Sequence, residues 1–585
     1  MIKILFYGYV EPEADNRFYL STAVLVLKTH IEINYPELAK HLEWVVQQEK
    51  LSNDELISLC NKENPDVLAT SNYIWNSARI MNQLEEIKNK INSNTKIVVG
   101  GPSISANIDS EFFQKYPFVD YAIYGPGENA FADIISSLFN KTKLIAFNTS
   151  NVAWFDKQKN KTVIADYKYV SIAKVSSYIF NKELFTTLVK NEQAKGYEVA
   201  IPFELTRGCP YACTFCDWNS GLSNKVSRRK NAYIEDIDLF QELGLKIIYL
   251  ADANVGQYDE DVDMIAYFAK KNKEEDAQFR IEGNLSKLKK ANNLKIFHHF
   301  AQANLITKTG LILAVQDINE EILKNVDRPD VTWAEHKKVI TELLECYPDY
   351  FVKLQLIQGL PGQTVESWFN TLCEVSKERI VHLIFISEYL PTSPAAIDKK
   401  YQDTWNYEYS QSLRVNGRKK DNAYFRGNIP KSCASFTQKD FTVMTVMSQL
   451  FVQLQIIKCS LDNYSEFDTP AIAKDFLKTD MFKVLVEGLY NSWTNEDKFY
   501  YHNIQYAGFN SNEVYSACDI PSGLLNSNQV FWEFILTHPT TKNIRKDLYK
   551  LFKATQRGAN EQVFDKRSKE AINTVGTYLF LKEFY

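Results

Sequence analysis

Three cysteines lie within residues 209–216, directly after a short apolar run that is typical of a β-strand. They are Cys209, Cys213 and Cys216, spaced C-x3-C-x2-C. A structural zinc site and an iron-sulfur cluster with a full cysteine set both need four protein ligands. Three thiolates on one tight loop would leave one iron of a four-iron cluster open to a non-protein ligand. The motif therefore predicts a metal centre that does chemistry.

A disulfide and a zinc knuckle are the other interpretations of this motif. The remaining cysteines are scattered singly along the chain, as buried thiols are in a reducing cytoplasm; they are Cys60, Cys346, Cys373, Cys433, Cys459 and Cys518. No second short-spaced Cys or His pair follows, so a zinc site would need a distant fourth ligand. The spacing therefore favours one iron-sulfur cluster and no second one.

The loop resembles that of the radical S-adenosylmethionine (SAM) enzymes, in which C-x3-C-x2-C holds a [4Fe-4S] cluster. The resemblance implies that SAM chelates the open iron through its amino and carboxylate groups. It also implies that Phe215 packs by the adenine of SAM. Asp217 and Trp218 would continue towards the substrate or a second cofactor.

Strand and helix signals alternate from Pro202 to about Pro394, and six strands can be counted in the segments IPFELT, KIIYLAD, QFRIEG, TGLILAVQ, VKLQLIQG and VHLIFISEYL. Six parallel strand-helix units predict a partial barrel with its chemistry at the carboxyl ends of the strands. The cysteines follow the first strand. The second strand ends with Asp252 and Asn254, and the fourth with Gln316; the resemblance implies that these three contact SAM. A helix N-cap is the alternative for Asp252 and Asn254.

The fifth strand ends in a G-x-P-G-x-T turn that contains Gly359, Pro361, Gly362 and Thr364. It matches the family, and its glycines would permit close backbone approach to the adenine. The run Arg228-Arg229-Lys230 could meet an anionic ligand, but a solvated turn is the favoured interpretation, since short charge runs usually face water.

Residues 1 to about 140 also alternate strands and helices, which predicts a doubly wound parallel sheet. The strands are KILFYGYV, DVLATSNYIW, KIVVGG and YAIYG, and helical patterns cover Ser21 to His30, Ser77 to Ile91 and Asn129 to Phe139. Ligands bind such sheets at the carboxyl ends of the strands, where the glycines lie. GPGENA fits a dinucleotide fingerprint poorly, because it closes the domain instead of following its first strand.

These strand ends resemble the cobalamin-binding domain that precedes the radical SAM core in one subfamily. The resemblance implies that they contact cobalamin through Ser71, Tyr73, Gly100, Gly101, Gly125, Gly127 and Glu128. A D-x-H-x-x-G motif does not occur in the sequence, so any cobalamin would lack a histidine from that motif. A flavodoxin-like domain that only packs on the core is the alternative.

The fold class expected from these patterns is α/β, with four regions: a Rossmann-like cobalamin-binding domain (1–140), a connector (141–200), a partial (β/α)6 radical SAM barrel (201–395) and a mainly helical, substrate-shaping C-terminal region (396–585). The connector includes a two-stranded ribbon, NVAWFDKQKNKTVIAD. Helical spacing in the last region covers Phe441 to Lys458, Ile472 to Tyr490 and Ile544 to Gly558. No catalytic residue is assigned; the proton carriers considered are His298, His299, His382 and Tyr389.

The composition is that of a multidomain globular protein. Of 585 residues, 45% are hydrophobic and 24% are charged, and the net charge of -5 gives no general attraction to nucleic acid or anionic membrane. No apolar run reaches the roughly 18 to 20 residues of a membrane span, and the N-terminus turns acidic too soon for a secretory signal. We therefore expect a cytoplasmic protein without nucleic-acid or membrane partners.

The resemblance as a whole implies a cobalamin-dependent radical SAM C-methyltransferase acting on an unactivated carbon of a peptide or natural-product precursor. One SAM would methylate reduced cobalamin. A second would yield a 5'-deoxyadenosyl radical that abstracts hydrogen, and the substrate carbon would then take the methyl group. Flavodoxin or ferredoxin would supply electrons. A rearrangement, ring formation or non-radical methylation with the same cofactors, and a SAM- or cobalamin-binding sensor without turnover, remain open alternatives.

Overall fold

A computed structural model of the chain describes residues 1–501 and 539, apart from 14–15, 74, 106–107, 146–147, 174–180, 219–224, 230–232, 286–289, 329–331, 349–351, 388–392, 416–422, 461–463 and 497. The chain divides into two compact units. The first contains 1–210, 217–283 and 298–307, and the second contains 211–216, 284–297 and 308–585.

The strands are β1 (Ile2–Val10), β2 (Arg17–Tyr19), β3 (Leu42–Glu49), β4 (Val67–Ser71), β5 (Lys96–Gly100), β6 (Tyr121–Ile123), β7 (Val152–Asp156), β8 (Lys161–Ile164), β9 (Glu198–Phe203), β10 (Thr206–Arg207), β11 (Ser227–Arg228), β12 (Ile247–Leu250), β13 (Arg280–Asn284), β14 (Ile306–Gln316), β15 (Val352–Gln358), β16 (Ile380–Ile386), β17 (Glu408–Val415), β18 (Ala423–Ser432) and β19 (Lys498–Tyr501).

The α-helices are α1 (Ala23–Asn34), α2 (Pro36–Ala39), α3 (Asn53–Glu63), α4 (Ser77–Ile87), α5 (Pro102–Ser105), α6 (Phe112–Lys115), α7 (Glu128–Phe139), α8 (Lys182–Ala194), α9 (Tyr233–Glu242), α10 (Asp259–Glu275), α11 (Lys290–Ala303), α12 (Glu320–Asn325), α13 (Trp333–Cys346), α14 (Val365–Val375), α15 (Pro394–Ile397), α16 (Lys399–Trp405), α17 (Gln438–Ser460), α18 (Thr469–Phe476) and α19 (Asp480–Glu496).

The first unit begins with a seven-stranded sheet in the order β3-β1-β4-β5-β6-β7-β8. Its first five strands run parallel, and buried residues such as Leu5, Leu68 and Val99 form its core with the helices. The four strands and three helices predicted here are confirmed. The antiparallel ribbon β7-β8 also forms, and it pairs with β6, so this sheet continues beyond residue 140.

A second parallel arrangement in the first unit has the order β2-β9-β12-β13. β2 was not predicted, because it has only three residues. Its side chains are anchored on Glu282 of β13: Nη1 of Arg17 donates to Oε1 over 2.9 Å, and the hydroxyl of Tyr19 donates to Oε2 over 3.0 Å. This partly buried polar cluster fixes β2 at the edge of the sheet.

In the second unit, β14, β15 and β16 are parallel neighbours, so all six strands predicted for the core are present. A buried hydrogen-bond chain attaches α17 to β15. Nε2 of Gln358 donates to Oγ1 of Thr445 over 2.8 Å, and Oγ of Ser448 donates to Oε1 of Gln358 over 2.8 Å. These bonds satisfy both ends of a fully buried amide.

The C-terminal region combines helices with a three-stranded sheet in the order β18-β17-β19, which the mainly helical prediction missed. Phe441 to Lys458 lies in α17 as predicted. Ile472 to Tyr490 instead spans two helices, because Oγ1 of Thr479 donates to the Phe476 carbonyl over 2.7 Å and accepts from Phe482 N–H over 3.2 Å. Ile544 to Gly558 lies outside the described residues.

One helix in the described part of the chain, Gln438–Cys459, is long and apolar enough to cross a membrane by length and composition. However, 88% of its most apolar stretch is buried inside the protein. Burial of this extent is typical of a core helix.

Candidate active site

The cysteine motif begins in a tight turn that requires glycine. The chain turns at Gly208, where φ is +92°, and a Cβ atom there would lie 2.2 Å from the carbonyl oxygen of Lys225. No other residue type fits such a close backbone approach at a positive φ. Cys209 therefore leaves the turn at a defined position, and its side chain is buried.

Asn254 contacts the first cysteine of the motif. Its Nδ2 donates a hydrogen bond to Sγ of Cys209 over 3.2 Å, and both side chains are buried. Oδ1 of Asn254 is buried and has no hydrogen-bond partner among the described residues. A buried amide oxygen without a partner is unfavourable and marks a place where a ligand N–H could bind. This fits the prediction that Asn254 contacts SAM.

Asp252 is bonded to the segment between β9 and β10 that leads to the cysteines. Its Oδ1 accepts a hydrogen bond from Leu205 N–H over 2.8 Å, and burial raises the pKa of its carboxyl group to about 7. The N-cap interpretation is wrong for Asp252, because α10 begins at Asp259 with Tyr258 as its N-cap. The observed contact shapes the chain just before the motif, and a SAM contact remains a prediction.

Cys213 and Cys216 form a turn in the second unit, where Cys216 N–H donates to the Cys213 carbonyl over 3.0 Å. Between them, Thr214 N–H donates to the Val326 carbonyl over 3.0 Å. Phe215 packs against an apolar cluster formed by Ile322, Val326, Ile357 and Leu360. Since Leu360 belongs to the G-x-P-G-x-T turn, the structure brings Phe215 and that turn together.

The three cysteines remain predicted cluster ligands. Among the described residues, no group of three or more His, Cys, Asp and Glu side chains is placed to hold a metal ion. Cys209 belongs to the first unit, whereas Cys213 and Cys216 belong to the second. The donor set suits a four-iron cluster with one open iron, because three thiolates supply three of its four ligands.

Asp217 and Trp218 follow the motif and differ in exposure. Burial raises the pKa of the Asp217 carboxyl group to about 7, and its Oδ1 has no hydrogen-bond partner within the described residues. Trp218 is 42% exposed. Its large apolar surface is available to a ligand, and the predicted cofactor contact of Trp218 remains a prediction.

Gln316 lies in a strained turn at the end of β14. Its φ is 71°, and Asp317 N–H donates to the Val315 carbonyl over 3.0 Å, which together define a γ-turn. Such strain in a residue other than glycine is often found at ligand sites. The side chain is buried, and Oε1 has no hydrogen-bond partner in the described part of the chain. Both observations fit the predicted SAM contact.

The turn Gly359–Thr364, named here the glycine turn, packs closely against the protein's own side chains. A Cβ atom on Gly359 would lie 2.5 Å from Cε2 of Phe441, and one on Gly362 would lie 2.6 Å from Nδ2 of Asn325. Both glycines have a positive φ. The close approach that these glycines permit is therefore to Phe441 and Asn325, and contact with adenine is a separate prediction.

Pro361 and Thr364 have structural contacts in the same turn. The Pro361 carbonyl accepts a hydrogen bond from Nδ2 of Asn325 over 3.1 Å. Thr364 is the N-cap of α14, and its Oγ1 accepts from Ser367 N–H over 3.1 Å. These contacts join the glycine turn to the helices on either side of it.

The carboxyl ends of β4 and β5 lie side by side in the first unit. Asn72 N–H donates to the Gly100 carbonyl over 2.7 Å, and a Cβ atom on Gly101 would lie only 2.5 Å from the Asn72 carbonyl oxygen. Oδ1 of Asn72 is buried without a hydrogen-bond partner in the described part of the chain. Ser71 and Tyr73 flank it, so this strand end could receive a polar ligand.

The next strand end contains a salt bridge. Gly125 N–H donates to Oγ of Ser105 over 2.9 Å, and Gly127 is the N-cap of α7. Glu128, the first residue of α7, is buried and accepts from Nη1 of Arg207 over 2.5 Å. Burial alone would raise the pKa of Glu128, but the charge of Arg207 lowers it below its ordinary value. Glu128 therefore has a partner within the protein, and its contact with cobalamin remains a prediction.

Arg228 and Arg229 do not form a solvated turn, and that interpretation is wrong. Nη2 of Arg228 lies 2.6 Å from Oδ1 of Asp261, and Nη1 of the buried Arg229 lies 3.5 Å from Oδ2 of Asp236. Their charges are compensated by carboxylates from later helices, which the local sequence does not reveal. Lys230 lies outside the described residues.

Two regions of the chain match known protein families. The B12 binding domain family matches residues 41–135, and the radical SAM superfamily matches residues 203–372. The chain carries a B12-binding domain followed by a radical SAM domain. The strand ends with Ser71, Gly101 and Glu128 thus belong to the B12-binding domain, and the cysteine motif belongs to the radical SAM domain.

Two of the curated relatives that the chain resembles are methyltransferases by name, and the name of the first also gives cobalamin and radical SAM. The chain is 25% identical over 350 residues to the cobalamin-dependent radical SAM methyltransferase TokK of Streptomyces tokunonensis, covering 58% of this chain and 49% of TokK. It is 24% identical over 349 residues to 2-(S-pantetheinyl)-carbapenam-3-carboxylate methyltransferase of Streptantibioticus cattleyicolor, with coverage of 58% and 49%. The chain thus spans about half the length of the curated relatives it matches.

A solved structure shares the fold. The cobalamin-dependent S-adenosylmethionine radical enzyme OxsB, with aqua-cobalamin and S-adenosylmethionine bound, matches with a TM-score of 0.59 and 11% identity. The match covers 99% of this chain and 84% of OxsB. At this identity the likeness concerns the fold alone.

Two residues that connect separate segments of these domains, Arg207 and Gln363, were not singled out from the sequence. Arg207 stands just before Cys209 in the segment TRGC, and this position was the available signal. Its partner Glu128 lies far earlier in the chain, so the pair itself gave no local signal. Gln363 occupies a variable position of the G-x-P-G-x-T pattern.

Proposed function

We propose that this chain is a cobalamin-dependent radical SAM C-methyltransferase that acts on an unactivated carbon of a peptide or natural-product precursor. The observation that carries the proposal is the salt bridge between Glu128 and Arg207. It joins the start of α7, in the B12-binding domain, to the short strand that leads directly into Cys209. Transfer of a methyl group to a substrate radical requires the two cofactor sites to be neighbours, and this ion pair fits that requirement.

The residues of the chain fit the two cofactors in different ways. When bound, the cluster and SAM supply a hydrogen-abstracting radical, and cobalamin supplies the methyl group. The thiolates of Cys209, Cys213 and Cys216 would hold the cluster, whereas Asn254 and Gln316 offer SAM buried amide oxygens. Burial of Cys209 and Cys213 excludes water from the ligand sulfurs. For cobalamin, the ends of β4 and β5 offer glycines and the amide oxygen Oδ1 of Asn72, which has no hydrogen-bond partner among the described residues.

The cofactor assignment can be tested by anaerobic reconstitution with iron, sulfide and cobalamin. Bound cobalamin and the low-temperature paramagnetic spectrum of the reduced cluster, with and without SAM, are compared for wild type, Cys213→Ala and Cys346→Ala. Cys346 is exposed and lies outside the motif, so it is the matched control. We expect a SAM-sensitive four-iron signal in wild type and in Cys346→Ala but not in Cys213→Ala. Retained cobalamin is also expected, and its loss from wild type would rule out methyl transfer from cobalt.

The reaction type can be read from three products. A mass gain of one CH2 unit together with 5'-deoxyadenosine and S-adenosylhomocysteine would support radical methylation. 5'-Deoxyadenosine without the mass gain would indicate a rearrangement or ring formation. Methylation without 5'-deoxyadenosine would indicate a non-radical route, and with no product from any candidate substrate the sensor function would be favoured.

The first candidate substrate is the pantetheinylated carbapenam carboxylate named for the Streptantibioticus relative, followed by precursor peptides. We expect flavodoxin or ferredoxin to act as the reductant. The setting proposed for the reaction is the cytoplasm, without nucleic-acid or membrane partners.

A further inference from the structure

Gln363 uses its whole side-chain amide to hold the glycine turn. Its Oε1 accepts hydrogen bonds from Gly359 N–H over 2.7 Å and from Leu360 N–H over 3.0 Å. Its Nε2 donates to the Ile357 carbonyl over 2.9 Å. The side chain is fully buried, so these bonds fix the backbone of the turn without competition from water.

The second N–H of the same Nε2 bonds to the residue that directly follows β14. It binds Oδ2 of Asp317 over 2.6 Å. Asp317 directly follows Gln316, and its own N–H closes the strained γ-turn around that residue. The other carboxylate oxygen, Oδ1, accepts from Oγ1 of Thr371 over 3.1 Å and from Asn319 N–H over 2.9 Å. The end of β14 and the turn after β15 are thus tied by one hydrogen bond between two buried side chains.

We infer that Asp317 and Gln363 are positioning residues that hold Gln316 and the glycine turn in one arrangement for binding the adenosyl part of SAM. The inference rests on the proposed function, because it takes Gln316 and the glycine turn as the SAM-binding segments. Neither Asp317 nor Gln363 touches SAM in this account. They act through the two segments that they join.

The chemistry of the pair supports this assignment over a purely structural one. A buried carboxylate is costly, and an apolar pair of similar size would fill the same space more cheaply. An apolar pair has no directional bonds, so it would not fix the orientation of the glycine turn relative to the γ-turn at Gln316. A strained residue such as Gln316 persists only when its surroundings over-determine its conformation, and the carboxylate of Asp317 supplies such a constraint.

The decisive variant is Gln363→Glu, because it keeps the acceptor for Gly359 and Leu360 but loses both donors. Thr371→Val is the matched control, since it removes a hydrogen bond to the same Asp317 carboxylate without touching the glycine turn. Asp317→Asn combined with Gln363→Glu restores a donor and an acceptor with reversed polarity. Two readouts are used at pH 8: the dissociation constant of SAM with the reconstituted protein, and hydrogen exchange of segments 313–319 and 357–364.

We expect Gln363→Glu to weaken SAM binding by about tenfold or more and to speed exchange in both segments, as loss of a buried charge-assisted hydrogen bond predicts. Thr371→Val should stay within about twofold of wild type and leave segment 357–364 unchanged. The double variant should recover part of the SAM affinity. SAM binding by Gln363→Glu that equals wild type, or faster exchange in segment 357–364 alone, would overturn the inference.

The two readouts separate this inference from the proposed function. If wild type binds no SAM, the proposed function fails, and the positioning role in SAM binding fails with it. In that case joint loosening of both segments would still show that the pair links the two turns. If wild type binds SAM and the variants do not differ, only the positioning role fails.

Discussion

Nδ2 of Asn254 donates a hydrogen bond to Sγ of Cys209 over 3.2 Å, and both side chains are buried in the first unit. A donor directed at a cluster ligand stabilises the more negative, reduced state of the cluster. Asn254 would therefore act on the potential of the cluster as well as on SAM, and these two effects can be measured separately.

Replacement of this donor should lower the reduction potential of the cluster. For Asn254→Ala we expect a decrease of roughly 60 mV, which for one electron corresponds to a hydrogen bond that is about 1.4 kcal/mol stronger in the reduced than in the oxidised cluster. Redox titration followed by low-temperature paramagnetic resonance measures it. The control is Asn272→Ala, whose amide bonds to the Phe279 backbone in the same unit. Equal potentials in wild type and Asn254→Ala would show that the contact does not influence the cluster.

Alanine at Gly101 should disrupt the strand ends of the B12-binding domain. Its Cβ would lie 2.5 Å from the Asn72 carbonyl oxygen at a φ of +100°. Gly196→Ala is the control for φ alone, since Gly196 has a φ of +89° and nothing within 4 Å of a Cβ. We expect Gly101→Ala to lose most bound cobalamin and to unfold at a lower temperature than Gly196→Ala. Similar cobalamin content in the two variants would contradict the proposed site.

Stability should depend on pH through Asp252. Burial raises the pKa of its carboxyl group from 3.8 to about 7, so between these values the native state binds more protons than the unfolded state. The free energy of unfolding due to this group therefore falls as pH rises from about 4 to about 7 and is constant above that. Asp252→Asn cannot ionise but keeps an acceptor for Leu205 N–H.

The difference in Tm between Asp252→Asn and wild type should thus grow in favour of the variant from pH 5 to pH 8. We expect a change of about 2 °C or more, measured by thermal unfolding of both proteins in matched buffers. A difference that is the same at both pH values would mean that Asp252 titrates alike in the native and unfolded states.

Removal of Arg207 should destabilise the first unit more than removal of its partner. Arg207→Met leaves Glu128 buried and unpaired, which should cost about 3 kcal/mol. Glu128→Gln should cost less, because Arg207 keeps a second ion pair with Glu204 over 3.0 Å. Urea unfolding midpoints of both variants and of the double variant test this order. The double variant should be more stable than Arg207→Met, and the reverse order would exclude an unpaired Glu128 as the cause.

The sequence was most informative where burial produces continuous apolar runs. Buried parallel strands such as β1 and β5 contain such runs, so their existence and order were predictable. β3, β17 and β18 carry many polar residues and were missed, and the four-residue strand β19 was missed as well. The Cys209 motif and the glycine turn were also recognisable, because each lies within a short stretch of chain.

Contacts between distant segments were not predictable. The pairs of Arg228 with Asp261 and of Gln363 with Asp317 depend on which strand and helix ends the fold brings together. For Arg228 the local sequence predicted a solvated turn, because a short basic run usually faces solvent, whereas the side chain forms an ion pair with Asp261. The same limit explains why a helix cap was the alternative for Asp252, since its partner Leu205 lies in a distant segment, between β9 and β10.

β2 has a consequence for how this chain can be divided. β2 is formed by three residues near the N-terminus, Arg17–Tyr19, and it pairs with β9. β9 in turn leads to the cysteine motif. A fragment that starts after the B12-binding domain would expose the unpaired edge of β9 and leave the buried Glu282 without Arg17 and Tyr19. Exposed edges of this kind promote aggregation. The two domains are therefore not exchangeable modules: a chimera that replaces the first 140 residues must carry its own version of this strand.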